Sequence, residues 1–116
     1  MAFVLCTGPD PEVMKTRQKT LERAGHRVLS AVNEHDLMAA CKEHKFDVVI
    51  IGQTLVPEMK QHVVDLIRKH CSETKLLELY LTSENRTVED ADAWLEVNDN
   101  IAPNIAEHVS DLAQAA

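Results

Sequence analysis

Apolar and polar positions follow two different periods along this chain, and the changes of period mark out its elements. Ala2 to Thr7 is a short apolar run that predicts a first strand. Asp10 then offers an N-cap, and Pro11 sits at the first helical position, where no intrahelical N–H bond is lost. Val13, Met14, Leu21 and Ala24 fall on one helical stripe, with Gly25 following as a C-terminal cap. Arg27 to Ala31 predicts the second strand. Asn33 and Asp36 form a capping pair, and Leu37, Ala40 and Cys41 give the second helix its apolar side. The third strand covers 46–51, where Val48-Val49-Ile50-Ile51 is apolar on both faces, as a central parallel strand requires. A third helix starts near Pro57, buries Met59, Val63, Leu66 and Ile67, and runs to about His70. KLLELYL, Lys75 to Leu81, predicts strand four, and Ala93 to Val97 strand five. Ile105, Val109, Leu112 and Ala113 mark a final helix. Between strands four and five, SENRTVEDAD offers only Val88 and Ala91 as apolar side chains beside its flank, so a fourth helix is short or missing there.

Five strands alternating with helices predict a single α/β domain over 1–116, with a parallel sheet covered on both faces. A chain of 116 residues, 45% apolar and 27% charged, can bury one core without staples. No apolar run approaches the roughly 20 residues needed to span a bilayer. MAFVLCTGPD lacks the basic flank of a secretory signal and reads as the first strand, so a cytoplasmic location is expected. Cys6, Cys41 and Cys71 fit no metal spacing and are expected as free thiols in a reducing compartment.

The net charge of −7 is unevenly spread: residues 1–75 carry eleven Lys/Arg against ten Asp/Glu, whereas 76–116 carry Arg86 alone against nine. An acidic C-terminal third repels phosphate backbones and anionic lipid, which argues against nucleic acid or membrane as a direct partner. The same charge also suits a solvated face that aids solubility. Six histidines form no HxxxH or HxH pair, so surface and helix-end positions are expected, with His44 and His70 suited to helix C-termini. Thr7-Gly8 resembles the start of a phosphate-binding loop, but Pro9 removes a backbone donor that such a loop needs.

In open α/β sheets the chemistry lies just past the carboxyl ends of the strands. Here the central strand, FDVVII, ends in Gly52. The order of elements and the loops at the strand ends resemble the receiver domain of bacterial two-component response regulators, over essentially the whole chain. TGPDPEV is similar to that family's first loop, FDVVIIGQTLVP to its third strand and loop, LTS at 81–83 to the end of its fourth strand, and AWLEV to its fifth. The resemblance implies a doubly wound, flavodoxin-like sheet with strand order 2-1-3-4-5. Carried over position by position, it puts the metal-binding acidic pair on Gly8 and Pro9, with Asp10 nearby, and the phosphoacceptor on Gly52. It puts the essential Lys on Val97, the hydroxyl residue on Thr82 and the switch aromatic on Trp94. The loop after Gly52 is one residue long before Pro57.

Aspartyl phosphorylation needs carboxylates to hold Mg²⁺, an Asp nucleophile and a cation for the product's charge. Gly8, Pro9, Gly52 and Val97 supply none of these. The resemblance therefore implies a degenerate receiver, a pseudo-receiver without catalytic residues, metal or cofactor, that is not an enzyme and serves signal transduction as a protein–protein interaction module. Trp94 suits either core packing or the switch position. The implied partner is a protein with a basic surface, or a second copy, meeting the face of helix four, strand five and helix five through Asp90, Asp92 and Glu96. Two alternatives stand beside this: a small-molecule or nucleotide binder using the crevice at the carboxyl ends of the strands, and a phosphorelay regulator by descent.

Overall fold

The computed structural model of the protein describes residues 2–71, 73–81, 83–84, 86–97 and 101–114. Along the chain run β1 (Phe3–Thr7), α1 (Pro11–Arg23), β2 (Arg27–Ala31), α2 (Glu34–Glu43) and β3 (Val48–Ile51). They are followed by α3 (Pro57–His70), β4 (Lys75–Leu81), β5 (Ala93–Val97) and α4 (Ile101–Gln114). The strands form one parallel sheet in the order β2-β1-β3-β4-β5, so the chain winds outward from β1 in both directions. Register is set by pairs such as Val4 with Val28 and Val48, and Leu77 with Ala93. Residues 83–84 and 86–92 contain no helix, so the crossover from β4 to β5 is an irregular strap and α4 is the final helix.

The helix ends follow the sequence signals. Asp10 Oδ1 accepts from Glu12 N at 3.0 Å, and Asn33 Oδ1 accepts from Asp36 N at 2.8 Å, each satisfying a donor that the helix itself cannot. Gly25 takes φ +94°, the left-handed conformation in which a side chain would be strained. Alternation in the strands then divides the core between the two faces. Leu5, Val49, Ile51 and Leu76 pack with Leu37, Val63, Val64 and Ile67 on the α2/α3 side. Val4, Cys6, Val48, Ile50, Leu77 and Leu79 pack with Met14, Leu21, Ile105 and Val109 on the α1/α4 side. Each fully buried aliphatic side chain contributes about 1.5–3 kcal/mol by transfer from water.

Four expectations are corrected. Met59 is 44% exposed, and the buried face of α3 instead runs through Lys60, Val63, Val64 and Ile67. The phase differs because Lys60 has a buried partner, described below. On α1 the buried positions are Met14, Arg17 and Leu21, and Ala24, expected on the apolar stripe, is exposed. His26 is buried: its Nδ1 accepts from Ala2 N at 3.0 Å, and its Nε2 lies 3.2 Å from Ser110 Oγ on α4. Finally, Cys41 and Cys71 are joined by a disulfide across the ends of α2 and α3, with Cα atoms 4.9 Å apart, leaving only Cys6 as a free thiol. Sequence spacing could not reveal this pair, because it arises from the side-by-side packing of two helices. Among the described residues, no helix is long and apolar enough to cross a membrane.

Candidate functional site

Parallel pairing of Thr7 with Ile51 brings Gly8 and Gly52 side by side at the carboxyl edge of the sheet. Gly52 N donates to Thr7 O at 3.0 Å, and Thr7 Oγ1 donates to Ile50 O at 2.7 Å, so β1 and β3 stay tightly joined to their ends. A Cβ atom at Gly52 would overlap the Thr7 carbonyl oxygen, which is backbone and cannot swing aside. Gly8 differs: a Cβ there would lie 2.9 Å from Met14 Cε and 3.4 Å from Thr54 Oγ1, the movable ends of side chains. Asp10 is committed to the N-terminus of α1, and Val97 closes β5 as a half-buried residue packed against the α1/α4 layer. Thr82 lies outside the described residues. Among those described, no three His, Cys, Asp or Glu side chains converge closely enough to hold a metal ion.

The charge that does reach this region is positive. Arg17 is 8% exposed, and its Nη2 donates to Gln53 Oε1 at 2.9 Å, while its buried Nη1 meets no acceptor. Burial lowers the Arg17 pKa. Burial also pushes the Cys6 thiol up to about 12, against a smaller opposing pull from the Arg17 charge, so Cys6 is a neutral thiol at pH 7.

A polar network crosses the layer from α3 to β5. Lys60 Nζ donates to Glu78 Oε2 at 2.9 Å and to Leu79 O at 2.8 Å, with both side chains essentially inaccessible. The Glu78 carboxylate also accepts from Val88 N at 2.8 Å and from Thr87 N at 2.9–3.0 Å. Val88 O in turn accepts from Trp94 Nε1 at 2.8 Å. The strap between β4 and β5 thus hangs on a buried carboxylate, and Trp94 is a half-buried residue tethered by its indole N–H and covered by the Arg86 guanidinium at 5.0 Å. Asp92 Oδ2 accepts from Leu76 N at 2.7 Å and Asp90 pairs with Arg68 at 3.1 Å, so both hold the strap in place. Glu96 is half-buried on the edge strand β5.

A largely apolar cleft lies between the start of α2 and the start of α3. It has a volume of about 190 Å³. Its walls include Leu37, Leu55, Val63 and Leu66, and it reaches Gly8 and Pro9 at the end of β1.

Sequence reasoning missed the Lys60–Glu78 pair, although both residues carried a signal. Lys60 stands on the apolar face of α3, and Glu78 interrupts the continuous apolar run of β4. The backbone closure at Gly52 left no signal beyond glycine itself.

No protein-family model matches this chain. No curated protein matches it either. Solved structures do. A response regulator from Thermotoga maritima superposes with a TM-score of 0.77 at 18% identity, covering 97% of this chain and 98% of that one. Vibrio cholerae chemotaxis protein CheY4 gives 0.77 at 21%, covering 97% and 98%. The response regulator TrrA of Thermotoga maritima, solved in complex with the histidine kinase ThkA, gives 0.75 at 20%, covering 97% and 98%. The chain therefore has the flavodoxin-like fold of response-regulator receiver domains, with the strand order that the resemblance implied.

Proposed function

We propose that this protein is a receiver-like module of signal transduction that binds a protein partner without being phosphorylated and catalyses no reaction. The observation that carries this reading is the contact at Gly52: the position of the receiver phosphoacceptor has no side chain, and backbone fills the space that a Cβ would need. Gly8, Pro9 and Val97 add no carboxylate or cation, and Asp10 is occupied as a helix cap. Without nucleophile or metal ligands, a phosphodonor has nothing to react with. Binding is then the remaining use of the frame, and TrrA, seen with its histidine kinase, is a protein of this fold that meets a protein partner.

The surface of β5 and α4 is the interaction face in this reading. Exposed Glu89, Glu107 and Asp111 make it acidic, suited to a basic protein surface or to the charge-balanced first two-thirds of a second copy. The strap residues Asp90 and Asp92 contribute by holding its shape. Exposed charge pairs are screened over about 8–10 Å at physiological ionic strength, so this contact weakens with salt.

The test is intact-mass measurement after incubation with Mg²⁺ and a small acyl phosphate, together with partner binding before and after that treatment. An unchanged mass and unchanged binding are expected. A stoichiometric adduct labile to hydroxylamine overturns the non-phosphorylatable reading.

A further inference from the structure

We propose that the cleft between α2 and α3 is a binding site for a small uncharged molecule with an aromatic or branched aliphatic body. Its volume of about 190 Å³ holds one such body. An apolar cavity of about 150 Å³ suffices for benzene when its walls offer water no hydrogen bonds. The walls here are largely apolar. Leu37, Leu55, Val63 and Leu66 line it from three elements, with Val56 and Met59 at the mouth.

Most polar side chains on the cleft are already engaged, and the remaining one, Thr54, is exposed to solvent. Thr7 Oγ1 donates to Ile50 O, Asn33 Oδ1 caps α2, and Glu34 pairs with His62 at 3.3 Å on the outer edge. A charged ligand would lose its hydration and find only the solvent-exposed Glu34–His62 pair as counter-charge, which favours an uncharged one. The mouth supplies a second, independent observation. Val56 is 56% exposed and Met59 44%, and with Leu29 they are the exposed large hydrophobic residues of the described chain. A ligand that fills the cleft and reaches the mouth removes both from water.

The location gives the site its meaning. Gly8, Pro9 and Thr54 belong to the loops that carry the chemistry of a receiver, and here they form one wall of an apolar cleft. Occupancy at this point couples the β1–α1 and β3–α3 loops to α2 and α3 with no covalent step, so the module can respond to a ligand where a receiver responds to a phosphoryl group.

Indole and toluene serve as probes, titrated into the full chain with its disulfide intact and followed by methyl-resolved NMR and calorimetry. Saturable binding is expected, with shifts concentrated at Leu37, Val56, Met59, Val63 and Leu66. Leu66→Phe, which fills the cleft, should weaken binding at least tenfold, while Lys19→Ala on the opposite side of the sheet leaves it unchanged. Met59→Trp provides a second blocking variant at an exposed position where folding is not at stake, and it should weaken binding likewise. Absence of saturable binding by both probes overturns the proposal, as do shifts centred elsewhere or affinity unaltered in both blocking variants.

Discussion

Breaking the Lys60–Glu78 pair one side at a time should be far more damaging than replacing both partners together. Lys60→Met leaves the Glu78 carboxylate buried with only the Thr87 and Val88 amides for company, since those are its other donors. Removing one partner of a buried ion pair typically costs about 3–5 kcal/mol, because an uncompensated charge remains. Glu78→Gln leaves the buried Lys60 ammonium with neutral acceptors only, Leu79 O and the amide carbonyl introduced at 78, and no counter-charge, with a similar expected loss. The double variant Lys60→Met/Glu78→Gln carries no buried charge, and the amide carbonyl introduced on β4 can still accept from Val88 N. Its loss should be about 1–2 kcal/mol, the scale of one or two neutral hydrogen bonds. The two single effects should therefore exceed the double by several kcal/mol in a cycle of urea unfolding curves at pH 7. Amide exchange supplies a local readout: Thr87 and Val88 should lose protection in Glu78→Leu, which has no acceptor at that position. If the single losses simply add to the double within about 0.5 kcal/mol, the pair is not a coupled unit and the reasoning fails.

Three further outcomes are expected. Reducing the Cys41–Cys71 disulfide, or replacing both residues by Ser, should lower stability by about 3.5 kcal/mol, the loop-closure value for a separation of 30 residues; unaltered urea midpoints with and without reductant would contradict it. Cys6 has its pKa raised from 9.0 to about 12 by burial, so its contribution is intact below pH 9 and is lost as pH rises through 12. Wild type should accordingly lose stability faster than Cys6→Val between pH 9 and 11, and parallel profiles would refute this. Gly52→Asp should acquire no phosphoryl group and should also unfold at a lower temperature, by the equivalent of about 1–3 kcal/mol of overpacking; a variant as stable as wild type would mean that the Thr7 carbonyl yields easily.

The strand order came from the resemblance to receiver domains, whereas the elements themselves were readable from their own signals: the β-branched run at Val48–Ile51, the proline-started helices, the caps at Asp10 and Asn33. These are local features, and local chemistry determines them. What stayed hidden depends on residues that meet only after folding. Asp90 and Asp92 looked like free acidic surface, yet one pairs with Arg68 and the other takes the Leu76 amide, so reversing them would test the fold rather than an interface. Charge reversal at Glu89, Glu107 and Asp111 is the cleaner probe of the acidic face. Helical spacing alone places Met59 in the core, because it cannot register a buried lysine as the better occupant of that face. The absent side chain at Gly52 was visible in the sequence, but the closure of the backbone over it was not.

That closure sets what substitution can build at this end of the sheet. At Gly8 an added side chain can be accommodated, because Met14 can move. At Gly52 one meets the main chain of the neighbouring strand, so an acidic residue arrives with a folding defect and without metal ligands or lysine to make it useful. The fold is thereby held to a closed sheet edge at this point. Its surfaces and its apolar cleft stay free to change while the sheet edge is held shut, and new roles for the fold are to be sought there.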